Sequence, residues 1–401
     1  MTPQRFSDSR AADGASGRDR ATSDSTSTSP DRRDSRDALD LDVLLVGTFG
    51  GGGVHHYVEE QAERLSPYAD IETYDMGMPP VDAGRTRVLQ GLVLGLLAAL
   101  RFPFRDPPDI AHVHTSHRFS FYRASVYVFV AKYLWGVPVV VHVHGSGFDD
   151  FVDTDSLAVA ELQRRVFRAS DEVVVLSPYW RDVVARRADP AKVRVLPNAV
   201  EPDRYPDPTP ASDAHVVFVS NLVERKGVTE LVAAVEDLLE RRPGEVSVSI
   251  AGDGPLADEV RALDVAHEAV SYLGYVSEER KRDLLCSGSL YVLPTYAEGL
   301  PIAMLEGMAG GNAVVSTDVG SIPEVVDEDS GILVPPGDVD ALAAALEALA
   351  TDAERRARLA ANNRAAVEER YAWDRVVDEL LEMYASHARA KGSGSVDAVP
   401  A

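Results

Sequence analysis

Two glutamates, Glu298 and Glu306, stand eight residues apart on either side of a Gly-Leu-Pro sequence that follows an aliphatic run. Pro301 suits a first helical turn, so Glu306 is predicted to lie more than one turn inside a helix that rises about 1.5 Å per residue. The carboxyls are then too far apart for a retaining glycosidase pair, which needs about 5–5.5 Å. The spacing suits a long ligand, whose diphosphate rests on the helix amino end while each carboxylate accepts hydroxyl groups.

A second group of candidate residues, Asn221, Arg225 and Lys226, follows another aliphatic run and ends at Gly227. Cations at the carboxyl end of a strand face the cleft of an α/β protein, where they neutralise a diphosphate. An exposed basic turn is the alternative. Lys226 is one of only five lysines in a strongly acidic chain, which favours the functional interpretation.

Two glycine-rich runs also follow aliphatic segments. In the first, Gly52 and Gly53 would let backbone N–H groups approach a phosphate at a helix amino end. His55 stands where a dinucleotide fold has a third glycine, and the run does not fit a P-loop, so a flexible turn stays open as the alternative. In the second run, Gly-Asp-Gly-Pro, we expect Asp253 to cap the helix that starts near Pro255.

Histidines alternate with valines in two further aliphatic runs, at His112 and His114 and again at His142 and His144. We expect one of the second pair to be buried and structural, and His144, next to glycines, to be the better site candidate. A metal site made of histidines alone is disfavoured because no carboxylate is spaced to help. No Asp-x-Asp motif ends a strand in these segments either, so the prediction is that no metal is required.

From residue 41 onward, short aliphatic runs alternate with helical ones, which predicts a parallel sheet covered on both faces. Four prolines interrupt residues 201–213, and the alternation then restarts. The predicted fold class is α/β, with two Rossmann-like parallel-sheet domains that face a cleft. The predicted division is a disordered tail at 1–38, a first domain at 39–200 completed by a crossover helix at 373–390, the linker at 201–213, a second domain at 214–372, and a disordered tail at 391–401.

Composition limits the classes that this chain of 401 residues can belong to. The first 38 residues have the composition of a disordered tail and fit neither a secretory signal nor a transit peptide. A formal net charge of −24 disfavours nucleic acid as a partner. The single cysteine, Cys286, excludes an intrachain disulfide and fits a reducing cytoplasm.

The acidity itself has two interpretations. We expect an acidic, halophile-like surface adapted to a high-salt cytoplasm, and a merely solvated acidic coat is the alternative. If the first is right, the free energy of unfolding rises with KCl concentration. A fold that is fully stable without salt would contradict it.

Taken in order, these motifs resemble the family-4 glycosyltransferases, a large retaining family with the GT-B fold, over residues 41–384. The Glu-x7-Glu element with its Gly-Leu-Pro is the most specific part. The Lys-Gly turn, the Gly-Asp-Gly-Pro run, the first glycine loop and Leu196-Pro197-Asn198 support it. The resemblance implies a nucleotide-diphosphate sugar as co-substrate and transfer with retention of anomeric configuration, without a protein nucleophile.

The resemblance also implies roles for the matching positions. Glu298 would bind the hydroxyls of the donor sugar, Glu306 would hold the ribose, and Lys226 would neutralise the diphosphate. His144 would lie near the donor sugar and the acceptor. The remaining donor-binding positions would be Gly52, Gly53, Gly299, Leu300 and Pro301.

One position departs from the family pattern. Many members carry arginine where this chain has Asn221, which gives two cations at the diphosphate. Arg225, beside Lys226, is expected to compensate. If Arg225 points away, the phosphate role rests on Lys226 alone.

The acceptor is left open by the sequence. A glycolipid, a lipid-linked oligosaccharide or a polysaccharide leads, and a sugar phosphate or another small molecule is the alternative. A binding protein without activity is disfavoured by the intact Glu298, Glu306 and Lys226, and a nicotinamide-dependent dehydrogenase by His55. We expect a cytoplasmic location.

Residues 85–105 add a further alternative. Their apolar stretch is too short to span a bilayer. It is flanked by Arg85, Arg87, Arg101 and Arg105, so it would either dock on the inner face of a membrane or form a core helix with arginine at its ends.

Overall fold

The computed structural model describes residues 38–49, 53–77, 87–206 and 213–393, and within these ranges the strands form two six-stranded sheets. The strands of the first sheet are β1 (Asp42–Gly47), β2 (Asp70–Asp75), β3 (Ile110–Thr115), β4 (Val139–Val143), β5 (Glu172–Val175) and β6 (Val193–Val195). They lie in the order β2-β1-β3-β4-β5-β6, and neighbouring strands are parallel. Continuous burial along β3 and β4 is typical of a parallel sheet covered on both faces.

The helices between these strands cover the first sheet. They are α1 (Gly53–Leu65), α2 (Arg87–Arg101), α3 (Phe119–Phe129), α4 (Phe148–Val152), α5 (Leu157–Ala169) and α6 (Pro178–Val184). Helix α3 continues as a π-helical segment, Val130–Trp135, and ends at Gly136 in the left-handed conformation. The short helix α4 was not predicted, because its five residues are too few to show a helical period.

The second sheet has a different strand order. Its strands are β7 (Ala214–Val219), β8 (Val246–Ala251), β9 (Val270–Gly274), β10 (Leu290–Leu293), β11 (Ala313–Thr317) and β12 (Gly331–Val334). They lie in the order β12-β11-β10-β7-β8-β9, and neighbouring strands are parallel. From β7 the successive strands are added on one side, as β8 and β9, and from β10 onward they are added on the other side. Ligands of such sheets bind outside the carboxyl ends of the strands at the point where the strand order changes direction, here between β7 and β10.

Six helices of the described chain flank the second sheet. They are α7 (Val228–Arg241), α8 (Ala257–Ala266), α9 (Glu278–Ser287), α10 (Ile302–Ala309), α11 (Val339–Ala350) and α12 (Ala353–Arg370). The predicted α/β fold class, with two parallel-sheet units, is confirmed.

The chain crosses between the two sheets twice. The first crossing begins with a short 3-10 turn, Pro202–Arg204, and continues through residues 207–212, which lie outside the described ranges. The return crossing runs beside it, because Val200 and Ala372 form a parallel bridge. The last helix, α13 (Trp373–Ser393), then packs on the first sheet, where the Trp373 ring lies 5.1 Å from that of Tyr57.

The predicted tail at the carboxyl end is partly wrong. Helix α13 runs through residues 391–393, which we expected to belong to the tail. The Ala, Arg and Lys residues that precede Gly392 are good helix formers, so nothing ends the helix at residue 390. The tails predicted at residues 1–37 and 394–401 lie outside the described residues.

Candidate active site

The basic turn and the first glutamate of the Glu-x7-Glu element meet at the carboxyl ends of β7 and β10. Lys226 closes a 3-10 turn, Glu224–Lys226, that follows β7, and Glu298 follows β10. The Lys226 ammonium forms a salt bridge with Oε1 of Glu298, and both side chains are largely buried. Of the three predicted catalytic residues, Glu298, Lys226 and His144, the structure therefore brings the side chains of the first two together.

Gly227 fixes the position of this turn. Its φ of 69° is in the left-handed region, and a Cβ at this position would lie 1.8 Å from the carbonyl oxygen of Pro294. Only glycine fits so close to the end of β10. The Lys-Gly pair is thus a geometric unit, in which the glycine lets the turn carry Lys226 up to Glu298.

Arg225 also approaches Glu298. Its Nη1 atom donates a hydrogen bond to the carbonyl oxygen of Ala297 (2.6 Å) and lies 3.7 Å from Oε1 of Glu298. Asn221, at the position where many family members carry arginine, is exposed at the start of the same loop. Arg225 therefore supplies a second cation next to Lys226. It comes from position 225 of the loop, whereas the family pattern has its arginine at the position of Asn221.

The second glutamate, Glu306, lies one turn inside α10 and has a cation of its own. Lys281 of α9 approaches it to 2.8 Å and also pairs with Glu278 at 2.7 Å. Burial raises the pKa of Glu306, and the nearby Lys281 only partly offsets this effect. Burial lowers the pKa of Lys281, but the two carboxylates outweigh it and leave the pKa raised. Lys281 was not predicted, because it stands inside a helical segment and does not follow a strand.

The raised pKa of Glu306 leads to a pH prediction. If Glu306 accepts the two ribose hydroxyls, as the resemblance implies, it must be deprotonated, so donor affinity is full above its pKa and falls as the pH drops through it. Because that pKa is raised above 4.5, KM for the donor should begin to rise at a higher pH than an ordinary glutamate would cause. Initial rates measured between neutral and acidic pH check this. The Glu306→Gln variant should lack this part of the profile, and an identical profile in both proteins would contradict the assignment.

Contacts from the first half of the chain hold the Gly-Leu-Pro loop. The indole Nε1 of Trp180 donates to the carbonyl oxygen of Gly299 (2.8 Å), and the amide of Asn198 donates to that of Leu300 (2.6 Å). A Cβ at Gly299 would lie 2.8 Å from the carbonyl oxygen of His144. Pro301 stands at the N-cap of α10, one residue before the first helical position. Trp180 is a site residue that sequence analysis missed, although it follows the end of β5 as cleft residues often do.

His142 and His144 are both buried, contrary to the expectation that only one of them would be. Residues two apart on a strand point to the same face, and their rings stack with centroids 3.9 Å apart. Burial lowers the pKa of His144 to about 3, so its imidazole is neutral at neutral pH. The backbone of His144 touches the Gly-Leu-Pro loop, whereas its ring packs against Tyr57 (4.9 Å) in the interior of the first half.

The glycine-rich runs are placed only in part. Gly52 lies outside the described residues, and Gly53 is the first residue of α1. The predicted cap by Asp253 is wrong: α8 begins at Ala257 without a side-chain cap, and the Asp253 carboxylate accepts from the N–H of Gly254 instead. The turn after Pro255 delays the helix, so the aspartate is too far from its amino end.

A cleft of about 570 Å³ adjoins these residues. Glu298 and Tyr296 line one wall, and Trp180 and Tyr179 line the other. Its lining, as far as the structure describes it, also includes carboxylates and contains neither lysine nor arginine. The acidic residues besides Glu298 are Asp149, Asp182, Asp318 and Glu324.

Two parallel sheets, a cleft at their carboxyl ends and two cations beside a buried carboxylate define a GT-B glycosyltransferase. The profile described as "Glycosyl transferases group 1" matches residues 213–352, and the one described as "Glycosyl transferase 4-like domain" matches residues 37–199. The chain therefore belongs to the group 1 glycosyltransferases, and the resemblance to family 4 agrees with this.

Two relatives illustrate the range of the family. Alpha-maltose-1-phosphate synthase of Mycolicibacterium smegmatis is 27% identical over 384 residues, which cover 84% of this chain and 95% of that protein. One component of the human phosphatidylinositol N-acetylglucosaminyltransferase is 32% identical over 248 residues, or 60% of this chain. The match spans only 50% of that relative.

Solved structures agree on the fold. Sucrose-phosphate synthase from Thermosynechococcus elongatus superposes with a TM-score of 0.70 at 19% identity, covering 87% of this chain and 99% of that one. The Anabaena protein HepE, in complex with UDP and glucose, superposes with a TM-score of 0.66 at 18% identity, covering 86% and 100%.

Proposed function

We propose that this glycosyltransferase moves a hexose-type sugar from a nucleotide-diphosphate donor to an acceptor hydroxyl with retention of anomeric configuration. The observation that carries the proposal is the group formed by Lys226, Arg225 and Glu298 at the carboxyl ends of β7 and β10. Glu306 lies farther along the same segment, inside α10. This arrangement offers cations to a diphosphate and one carboxylate to each end of the donor.

Each group has a defined task in the proposed reaction. The diphosphate rests on the amino end of α10 and on Lys226, with Arg225 as the second cation. Glu298 accepts hydroxyls of the sugar, and Glu306 accepts those of the ribose. The bond between the anomeric carbon and the phosphate oxygen breaks, and the acceptor oxygen bonds to that carbon on the same face while its proton passes to the departing phosphate oxygen. The fixed cations stabilise the leaving diphosphate. The scheme assigns no step to a metal ion.

The donor is identified by a binding screen. Full-length protein in high KCl is mixed with UDP-, GDP- and ADP-linked sugars and followed by ligand-observed NMR. We expect one donor to bind, the sugar signal to be lost in Glu298→Ala and the nucleotide signal to weaken in Glu306→Ala. A folded sample that binds no nucleotide sugar rejects the proposal, and a product of inverted configuration rejects retention.

The acceptor that we propose is a lipid-linked sugar or a glycolipid, and the support comes from α2. The exposed residues Leu89, Leu92, Val93, Leu96, Leu97 and Leu100 recur at helical spacing and form one continuous apolar strip, which we call the α2 face. Phe104, just beyond the helix, is 89% exposed. The leucines of a core helix would be covered, so the alternative of a core helix does not describe α2.

Two further observations link the α2 face to a membrane and to the reaction. The backbone of α2 at Leu94 and Gly95 packs on Gly77, just beyond the carboxyl end of β2. The carboxyl ends of β4 and β5, in the same sheet, lead to residues that line the cleft. Of the four flanking arginines, Arg101 is exposed at the end of α2, and Arg105 is paired with Glu72. Arg85 and the side chain of Arg87 lie outside the described part of the chain. Apolar strips with arginine at their margins lie in the headgroup region of anionic membranes. No helix in the described part of the chain is long and apolar enough to cross a bilayer.

A paired substitution tests this surface. Leu92→Gln with Leu96→Gln should reduce co-sedimentation with anionic phospholipid vesicles at least about tenfold, because each buried leucine contributes roughly 1.5–3 kcal/mol. Val265→Gln is the matched control, since Val265 is 87% exposed on α8, far along the chain in the second half. A wild-type protein that stays in the supernatant at both low and high KCl would contradict membrane docking.

A sugar phosphate is the competing acceptor, favoured by the 27% identity with a maltose-1-phosphate synthase. The carboxylates of the cleft argue against it, because Asp149, Asp182 and Glu324 would repel a phosphate. A neutral glycan on a lipid carrier avoids this repulsion. Assays with glucose 1-phosphate and with a short-chain lipid-linked sugar as acceptors distinguish the two.

A further inference from the structure

Four histidines form a buried cluster on one face of the first sheet. His112 and His114 lie on β3, and His114 is in register with His142 on β4, two residues before His144. All four side chains are at most 9% exposed. The rings of His112 and His114 are stacked with centroids 4.4 Å apart, and those of His114 and His142 lie 5.2 Å apart.

The ring nitrogens of this cluster are only half paired. Nδ1 of His112 lies 2.6 Å from the hydroxyl of Tyr384, and Nδ1 of His114 lies 2.9 Å from Nε2 of His144. Nε2 of His112, Nε2 of His114 and both nitrogens of His142 are buried and have no hydrogen-bond partner among the described residues. Each unsatisfied buried polar atom costs about 1–3 kcal/mol, so this number of them at one place needs an explanation.

The pairing follows the pattern of a metal site. A histidine that ligates a metal through one nitrogen nearly always uses the other for a fixed hydrogen bond. His112 and His114 both do this through Nδ1, which leaves Nε2 free on each. One nitrogen from each of His112, His114 and His142 lies within 4.8 Å of the others.

We propose that His112, His114 and His142 bind one zinc ion, with Tyr384 and His144 as the hydrogen-bond partners that orient two of the ligands. Zinc–nitrogen bonds are about 2.0–2.1 Å, so the three nitrogens, which lie within 4.8 Å of one another, must move closer together to bind the ion. Three imidazoles and one remaining position are a common zinc environment. The ion would link β3 to β4 and, through the hydroxyl of Tyr384, to α13.

Sequence analysis disfavoured a histidine-only site because no carboxylate was spaced to help. In the structure the hydrogen-bond partner of His112 is the hydroxyl of Tyr384, which lies on α13, 272 residues after His112. Helix α1 carries a competing group, His55, His56 and Glu59, which is partly exposed. A metal test must therefore separate the buried cluster from this surface group.

The test is a metal titration of the full-length protein. Protein treated with a chelator and desalted is incubated with Zn²⁺ alone, desalted again, and its zinc content is measured by mass spectrometry. Co²⁺ as a second probe should give the visible bands of tetrahedral coordination. We expect one equivalent for the wild type and for His56→Ala, and none for His142→Asn.

Tyr384→Phe provides a variant that keeps the core filled. Loss of its hydroxyl should weaken zinc affinity by about 10–100-fold, as for other outer hydrogen-bond partners of ligating histidines. If His142→Asn does not fold, this variant and the rise in melting temperature of the wild type on adding Zn²⁺ decide the question. A folded wild type that holds no zinc, or binding that is lost in His56→Ala and kept in His142→Asn, overturns the proposal.

Discussion

Replacing Lys226 by alanine should lower kcat by about 10²–10³-fold, because the diphosphate then leaves without its nearest cation. Arg225, whose guanidinium lies 3.7 Å from the same carboxylate as Lys226, is expected to preserve part of the activity. Lys226→Arg keeps the charge and should restore more of the rate than alanine does. The measurement is the initial rate of nucleoside diphosphate release at saturating donor.

Lys132→Ala is the matched control for this variant. Lys132 is also a paired lysine, 2.7 Å from Asp171. It lies at the amino ends of β4 and β5, opposite the ends that face the cleft. Its loss should leave kcat near the wild-type value. An unchanged kcat in Lys226→Ala would mean that the leaving group is stabilised elsewhere, and the assigned role would be abandoned.

Glu298→Gln should lower kcat/KM by about 10–100-fold, the effect of losing hydrogen bonds to a charged acceptor. The substitution keeps the shape of a side chain that is 9% exposed, but it removes the carboxylate that holds Lys226. Because the two residues touch, the double variant should lose less than the product of the single losses. Single and double variants are compared in the same rate assay.

Glu172→Gln separates this effect from the general cost of altering a buried carboxylate. Glu172 is 10% exposed and paired with Arg194 and His387, at the start of β5 and away from the cleft. It should affect stability without a comparable loss of kcat/KM. If both glutamine variants lose activity equally, the role of Glu298 is structural.

Much of the fold could be predicted from the alternation of aliphatic and helical segments, because buried parallel strands and amphipathic helices have distinct periods. Glu306 lies more than one turn inside the helix Ile302–Ala309, as the position of Pro301 predicted. Helix α4, which is five residues long, falls below the length at which a period can be recognised.

The candidate site was predictable where its residues directly follow strands. Lys226 and Glu298 were found because each follows an aliphatic strand, and the carboxyl ends of parallel strands meet at one edge. Lys281, Trp180 and Tyr384 were not found, because each lies within a helix and none belongs to a motif at the end of a strand. Asp253 was misjudged because the turn beyond Pro255 is longer than a helix cap allows.

The position of α13 has a consequence for the order in which the protein is made. Trp373, Leu380 and Tyr384 belong to the same buried cluster as Val43 and Tyr57, although more than 300 residues of chain separate them. On the ribosome, the first sheet emerges early but keeps an apolar face uncovered until the final helix has been synthesised. The part of the enzyme that is translated first is therefore finished last, and chains that stop before Trp373 should be prone to aggregation.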